Sequence, residues 1–276
     1  MNNLSPKKDL KKTLKTGAAI WSYLDNEEGD EIWLTFHGYG QDAEVMHQFM
    51  KTFQPKARVL SFDLPLHGNT TLKKNKPLTL GDLADLQGRA LLEAGGKKCS
   101  ILAYSLGGKL ALKMVELDPG KMEHLVLIAP DGLKTNRLYW FVTHTTVGRV
   151  IFQLVIKFPH PILGLSKLLS ITRLMNPKIH EFVLSQMSSR EKRQKVLDTW
   201  MMFKNITPSL DQVSKRIWRY RIKLTLVFGK KDRVIHPKLA KNLSGQNCKS
   251  AEVIMLDADH NLTTRRYAEQ LKNLVE

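Results

Sequence analysis

Short apolar runs alternate with helical patterns along most of the chain. Between the runs, residues 42–53 and 80–95 carry apolar side chains at helical spacing. This alternation predicts βαβ units, and therefore an α/β fold with a mainly parallel, doubly wound sheet. The runs themselves are rich in Val, Ile, Leu or Phe, which is typical of strands buried on both faces; they cover residues 31–38, 58–65, 98–105, 124–130, 223–232 and 251–260, with a weaker candidate at 18–26.

The alternation fails once, over about ninety residues between positions 132 and 223. The pattern there is mostly helical, and a compact domain does not leave a connection of that length without structure. We therefore predict a helical cap inserted after a central strand, at the edge of the sheet where α/β proteins bind ligands. The predicted boundaries are a core of residues 1–132 and 217–276 and a cap of residues 133–216.

A serine stands where one strand pattern meets a helix pattern. The segment AYSLGG (103–108) follows the apolar run CSIL and precedes KLALKMVEL. Ala103 and Gly107 are the small residues that a tight strand-to-helix turn requires, and such a turn exposes the hydroxyl of Ser105 at the carboxyl edge of the sheet. The alternative is a serine that only caps the helix.

Two downstream residues offer what a serine nucleophile needs, which is a base and an acid that orients the base. Asp232 and His260 each end a predicted parallel strand, so both can meet Ser105 at one edge of the sheet. Asp131, after an earlier strand, is the alternative acid. Upstream, the turn FHGYGQ offers the backbone N–H of Tyr39 as an oxyanion donor beside that of Leu106.

Together these motifs resemble the α/β-hydrolase superfamily, in the form that carries a helical cap. The resemblance implies a catalytic triad of Ser105, Asp232 and His260, an oxyanion hole made by Tyr39 and Leu106, and a cap over the pocket. The chain departs from the family pattern at three positions: Ala103 and Asp259 stand where Gly is common, and Leu66 where Gly is frequent. The motifs that carry the resemblance are HGYG (37–40), DLPLHGNT (63–70), AYSLGG (103–108), GKKDRVI (229–235) and DADH (257–260).

The expected activity is hydrolysis of a carboxylic ester or thioester with an apolar acyl group, through an acyl-enzyme. We expect Gly38, Trp140 and Trp200 to contact the substrate, and we expect no cofactor and no metal. Two alternatives stay open at this point. The same triad can serve hydrolysis or lysis of a carbon–carbon bond, and the fold can serve a binding protein without catalysis.

The charge is uneven, and this adds a candidate partner. The net charge is +17, and residues 134–223 hold 17 Lys or Arg against 4 Asp or Glu. The cap surface is therefore either a solvated face or a docking surface for something acidic: an acyl carrier protein, a coenzyme A thioester or an anionic membrane. The Lys-rich segment 7–15 either joins this surface or is a disordered tail. We expect no nucleic-acid partner, because no recognised motif supports one.

The cysteines and the N-terminal segment bear on the compartment. Cys99 and Cys248 are the two cysteines of the chain, so no disulfide framework is expected, and Cys99 lies in an apolar strand pattern as a buried thiol. The first residues are basic and lack the apolar core of a signal peptide. We therefore predict a cytoplasmic protein.

Overall fold

The computed structural model describes residues 10–73, 76–161, 163–164, 167, 184–185, 187–243 and 251–272. Within them the strands are β1 (Leu10–Lys15), β2 (Ala19–Asp25), β3 (Ile32–Phe36), β4 (Arg58–Phe62), β5 (Thr71–Leu72), β6 (Cys99–Tyr104), β7 (Met122–Ile128), β8 (Lys223–Gly229) and β9 (Glu252–Leu256). The helices are α1 (Ala43–Phe53), α2 (Leu80–Glu93), α3 (Leu106–Leu117), α4 (Arg137–His144), α5 (Thr146–Lys157), α6 (Arg190–Met202), α7 (Leu210–Tyr220) and α8 (Arg265–Lys272).

All of these strands belong to one sheet. Its order is β1-β2-β4-β3-β6-β7-β8-β9, and β5 pairs with β2. The neighbours from β4 to β9 are parallel, whereas β1, β2 and β5 pair antiparallel. The predicted α/β fold with a mainly parallel sheet is therefore confirmed. Because parallel strands end at a common edge, the residues that follow β6, β8 and β9 are brought to the same side of the molecule.

Helices cover the sheet on both faces. On one face, α1 and α8 share an apolar cluster with the strands, in which Phe49 and Leu271 join Trp33, Leu102 and Val126. Successive side chains of a strand point to opposite faces, so the equally buried neighbours of these strand residues face the other way. The helix α3 packs against β3, β6 and β7, and α2 and α7 pack against α3. This arrangement is the predicted double winding.

The first described strand corrects one sequence-based alternative. Residues 10–15 are not a disordered tail, because Leu10–Lys15 pairs along its length with β2. Leu14 is buried while Lys11 and Lys15 are exposed, as expected for a strand at the edge of a sheet. Lysines on an edge strand also discourage pairing with another chain.

The chain divides into two compact units. The larger comprises Met1–Asn75, Thr79–Lys134 and Ile206–Glu276, and the smaller comprises Lys76–Leu78 and Thr135–Asn205. The larger unit thus includes residues 206–216, which the sequence analysis assigns to the cap. Two hydrogen bonds hold this segment to α3: the N–H of Ser209 donates to Glu116 Oε2 at 2.9 Å, and Lys113 Nζ donates to the carbonyl of Thr207 at 3.1 Å.

The smaller unit has an aromatic interior of its own. The ring of Trp200, in α6, lies 5.4 Å from that of Phe152 in α5 and 5.5 Å from that of Tyr139 in α4. The three helices α4, α5 and α6 are therefore held together by aromatic packing. None of the helices in the described part of the chain is long and apolar enough to cross a membrane.

Cys99 is a buried free thiol in β6, as expected from its apolar surroundings in the sequence. Burial raises the pKa of this thiol to about 12, because the thiolate is not solvated inside the sheet. Cys248 lies outside the described residues.

Candidate active site

Ser105 occupies a strained turn between β6 and α3. Its φ of 47° and ψ of −113° lie outside the regions that side chains with a Cβ normally adopt. Three backbone hydrogen bonds hold it: the N–H of Ser105 donates to Ile128 at 3.0 Å, and its carbonyl accepts from Gly108 at 2.9 Å and from Asp131 at 2.8 Å. The strained conformation is thus fixed by β7, the loop that follows it and the first turn of α3, and strained residues at functional sites are generally held in this way.

The small residues around Ser105 are required by close approaches of the backbone. A Cβ added at Gly107 would lie 2.3 Å from the carbonyl oxygen of Phe36, which is less than a van der Waals contact. The N–H of Gly107 donates to the carbonyl of His37 at 3.1 Å. Ala103 is fully buried, so the turn accommodates alanine in place of the usual glycine. The loop that follows β3 therefore lies directly against the serine turn.

His260 connects Ser105 to Asp232. Its Nε2 lies 3.1 Å from Ser105 Oγ, and its Nδ1 lies 2.8 Å from Asp232 Oδ2. The carboxylate of Asp232 is buried, and its other oxygen accepts from the N–H groups of Val234 and Ile235 at 2.8 and 2.9 Å. Because a carboxylate can only accept, the hydrogen of the neutral imidazole is on Nδ1, and the lone pair of Nε2 faces the serine hydroxyl.

The alternative acid, Asp131, is arranged differently. Its carboxylate accepts from the N–H of Gly132 at 2.7 Å, and the described residues contain no hydrogen bond between Asp131 and His260. The carboxylate also favours the charged form of Lys109, a buried residue one helical turn after Ser105. Burial nevertheless outweighs this attraction and lowers the pKa of Lys109 to about 8.

The two backbone donors expected for an oxyanion come from adjacent segments. Leu106 directly follows the serine. Tyr39 lies in the loop after β3, two residues beyond His37, whose carbonyl accepts from the N–H of Gly107. As the first residue of α3, Leu106 has no helical acceptor for its N–H. The N–H of Tyr39 donates no hydrogen bond to any of the described residues either. Their roles as oxyanion donors stay predictions.

Two side chains that the sequence analysis missed hold the loop of His260. The hydroxyl of Tyr104 donates to the carbonyl of His260 at 2.7 Å, and the two rings lie 5.3 Å apart. The side chain of Gln41 accepts from the N–H of Gly38 at 3.0 Å and donates to Thr263 Oγ1 at 2.9 Å. Gln41 therefore connects the loop after β3 to the loop after β9. No sequence pattern predicts the contact between Gln41 and Thr263.

The three residues expected to contact substrate have other contacts in the structure. Gly38 lies against the ring of Tyr104, where an added Cβ would be 2.8 Å from a ring carbon. The ring of Trp140 stacks on that of His144 at 5.7 Å, and Trp200 belongs to the aromatic interior of the smaller unit. Substrate contact by Gly38, Trp140 and Trp200 stays a prediction.

His37 braces the loop beneath the site. It is fully buried; its Nε2 accepts from the N–H of Leu64 at 2.9 Å and its Nδ1 donates to the carbonyl of Gly38 at 2.7 Å. Burial lowers the pKa of His37 to about 4, so the ring is neutral at pH 7. A neutral ring with both nitrogens engaged fits a structural role.

Comparison with known families identifies the class. The sequence profile of the alpha/beta hydrolase fold family matches residues 34–263, which is most of the chain. The chain therefore belongs to the alpha/beta hydrolase fold family, and the resemblance found in the sequence is confirmed.

Individual relatives are distant. The chain is 29% identical to a pimeloyl-[acyl-carrier protein] methyl ester esterase of Aeromonas salmonicida over 38% of this chain and 39% of the esterase. It is 24% identical to Lipase 3 of a Moraxella species over 89% of this chain and 76% of the lipase. Among solved structures, a thermophilic esterase from Thermogutta terrifontis superposes with a TM-score of 0.66 at 15% identity, covering 96% of this chain and 95% of the esterase. At that identity the likeness establishes the fold.

Proposed function

We propose that the protein is a serine hydrolase that cleaves a carboxylic ester or thioester with an apolar acyl group. The observation that carries the proposal is the continuous chain of hydrogen-bonding distances from Ser105 through His260 to the buried Asp232. Serine, imidazole and carboxylate in this order form a set that turns a weak hydroxyl into a nucleophile. Membership of the alpha/beta hydrolase fold family supports the same reaction class.

The mechanism follows from the orientation of the imidazole. His260 Nε2 takes the proton of Ser105 Oγ as the oxygen attacks the carbonyl carbon, and the Nδ1–H of the ring keeps its bond to Asp232. The N–H groups of Tyr39 and Leu106 stabilise the oxyanion. The imidazolium then protonates the leaving group, and water repeats the sequence on the acyl-enzyme. Asp232 contributes by fixing the tautomer and stabilising the imidazolium charge.

The proposed substrate class takes its support from relatives. One is named as a methyl ester esterase and one as a lipase, so both names denote ester hydrolysis. The esterase is named for an ester carried on an acyl carrier protein, and a carrier-bound acyl group is therefore one form of substrate to test for this chain. Free esters of different acyl length, coenzyme A thioesters and carrier-bound esters make up the panel that separates these forms.

The decisive experiment is Ser105→Ala, measured with p-nitrophenyl butyrate and octanoate. We expect kcat/KM to fall at least about a thousandfold, because the nucleophile is removed while the other groups stay in place. A fluorophosphonate should label the unchanged protein at Ser105 and leave the variant unlabelled. Ser209→Ala, at the start of α7, makes the same chemical change where the side chain forms no capping bond, and should retain activity.

Three results would contradict the proposal. Unchanged ester hydrolysis by Ser105→Ala would exclude the serine as nucleophile. A folded protein that the fluorophosphonate does not label would favour a binding protein on this fold. Labelling without hydrolysis of any ester or thioester in the panel, together with cleavage of a carbon–carbon bond in a diketone, would move the same triad to the alternative reaction.

A further inference from the structure

The helix α5 exposes an unusual set of large apolar side chains. Their exposed fractions are 63% for Val147, 48% for Val150, 48% for Ile151, 51% for Leu154 and 66% for Phe158, which caps the helix. Single exposed apolar side chains are common on proteins, but a contiguous group marks a surface that binds something. We call these five residues the α5 stripe.

The helical spacing puts the stripe on one face. The five positions lie at intervals of three, four, seven and eleven residues from the first, which brings them within one side of the helix at 100° per residue. The face is about 18 Å long, since α5 has 12 residues at about 1.5 Å each. Such an apolar face on a surface helix is typical of helices that lie in the plane of a membrane interface.

The opposite face of α5 already has its partners. Phe152 and Ile156 are buried, and the ring of Phe152 packs on Trp200. The guanidinium of Arg193 donates from Nε to the carbonyl of Ile156 at 3.0 Å, which fixes the end of α5 to α6. An added Cβ at Gly148 would lie 2.3 Å from the carbonyl of Phe141, so α4 and α5 are in close contact there. The stripe is therefore a second surface, beyond the one that holds the helix in its unit.

The charges in the sequence segment that contains the stripe have a single sign. Residues 133–180 contain seven Lys or Arg and no Asp or Glu. Arg137 in α4 and Lys157 in α5 are exposed. Aliphatic side chains flanked by cations complement the acyl chains and the anionic headgroups of a bilayer, respectively.

We propose that the α5 stripe binds the surface of a membrane that contains anionic lipid. Two other occupants fit the observations less well. An acidic carrier protein would use the cations but leave the five exposed apolar side chains without a function. A second copy of the chain would bring together two basic segments of a protein with a net charge of +17, and like charges repel. Binding a bilayer needs no catalysis, so this inference and the proposed function can fail separately.

The test is co-sedimentation of the full chain with two kinds of vesicle. One consists of phosphatidylcholine alone, and the other of phosphatidylcholine with about 30% phosphatidylglycerol. We expect binding to the anionic vesicles and at least tenfold weaker binding to the neutral ones. The double variant Ile151→Glu/Leu154→Glu should weaken anionic binding by about tenfold or more, because two aliphatic groups are replaced by charges of the wrong sign. Raising the salt should weaken binding as well.

The matched control is Leu92→Glu, which changes a leucine of α2 that is 79% exposed and should leave vesicle binding unchanged. Lys157→Gln tests the charge, and it should lower affinity for anionic vesicles by a few-fold while leaving the fold intact. Circular dichroism and thermal unfolding of each variant exclude unfolding as the cause.

Four outcomes would overturn the inference, and the first three concern vesicles and oligomeric state. They are equal binding by the folded double variant and the unchanged protein, no sedimentation with anionic vesicles at low salt, and a concentration-dependent dimer that the double variant abolishes. The third would assign the stripe to a second copy of the chain. Binding to an acidic acyl carrier protein that the double variant alone disrupts, without vesicle binding, would assign it to that partner instead.

Discussion

The loops around Ser105 and the outer face of α5 differ in how firmly their side chains are held and in how far they are exposed. At the carboxyl edge of the sheet, Ser105, His260 and Asp232 are each held by several hydrogen bonds, and the backbone approaches so closely that glycine is required. On α5, five apolar side chains are about half exposed or more. The difference fits the two proposals, since a catalytic site needs positions fixed to fractions of an ångström, whereas a membrane-binding surface needs apolar area and charge.

The two regions also differ in what stabilises them. The strained backbone of Ser105 costs of order 1–3 kcal/mol, and it persists because hydrogen bonds from β7 and α3 determine it. Changes there should therefore affect stability, activity or both. The α5 stripe contributes little to folding, so changes there should affect binding alone. Five predictions test this contrast, from the largest effect to the smallest.

The largest effect is expected for Asp232→Asn. The amide can no longer stabilise the imidazolium, and its NH₂ group favours the wrong tautomer of His260, so kcat should fall about 10³- to 10⁴-fold. Steady-state kinetics with p-nitrophenyl butyrate measure this. Asp131→Asn is the control and should stay within about threefold of the unchanged protein, since its carboxylate bonds to Gly132. The reverse order of the two variants would transfer the role of acid to Asp131.

The second effect concerns stability in acid. The pKa of His37 is lowered to about 4 by burial, whereas an unfolded histidine titrates near 6.5. Between these values the unfolded chain binds the extra proton, so the free energy of unfolding should rise with pH through this window. On going from pH 6.5 to pH 4, the contribution of His37 should lower the free energy of unfolding by roughly 3 kcal/mol.

Urea unfolding at several pH values measures this slope, and His37→Gln should reduce it. His124, whose pKa burial also lowers to about 4, contributes in the same direction. A slope that is equally steep in His37→Gln and the unchanged protein would show that His37 is not the group that titrates.

The third effect is steric. Gly107→Ala places a Cβ where the carbonyl of Phe36 lies 2.3 Å away, and we expect a loss of about 1–3 kcal/mol in the free energy of unfolding together with lower activity. Gly88→Ala is the matched change inside α2, where an added Cβ would meet only the end of the Lys121 side chain, at 4.0 Å. It should stabilise by about 0.5–1 kcal/mol, because alanine favours a helix.

The fourth effect isolates one bond. Tyr104→Phe keeps the ring that lies beside His260 but removes the hydroxyl that donates to the carbonyl of His260. We expect a loss of about 1 kcal/mol in stability and a decrease of a few-fold in kcat. Chemical denaturation and kinetics on the same sample measure both. Activity equal to that of the unchanged protein would mean that the loop keeps its position without this bond.

The smallest effect is expected on α5. Ile151→Glu/Leu154→Glu should change the free energy of unfolding by less than about 0.5 kcal/mol for each substitution, because both side chains are about half exposed. Hydrolysis of a soluble short-chain ester should also be unchanged. A loss of several kcal/mol would mean that the stripe is packed against the protein, which would remove the contrast.

The sequence was sufficient for the sheet and for the order of the candidate residues. Buried parallel strands have a continuous apolar pattern, and residues placed just after such strands meet at one edge, so Ser105, Asp232 and His260 could be brought together without coordinates. The edge strand Leu10–Lys15 was not predicted, because Lys12 shares the side of the strand that buries Leu14 and pairs with Asp25, so the apolar alternation is interrupted in the sequence.

Contacts between distant loops could not be predicted in this way. Gln41 and Thr263 are 222 residues apart, and neither lies in a sequence pattern that predicts contact with the other. The hydroxyl of Tyr104 reaches His260 across 156 residues of sequence, again with no periodicity to reveal it. Such pairs depend on how two loops leave the sheet, which is a property of the folded backbone.

The bond between Gln41 and Thr263 has a consequence for biosynthesis. Most of the parallel strands can pair while the polypeptide is still being made, but this bond forms only after Thr263 has left the ribosome. A nascent chain stalled before His260 would contain the serine turn without the residue proposed as its base. The proposed nucleophile, Ser105, would therefore stay inactive until His260 has left the ribosome.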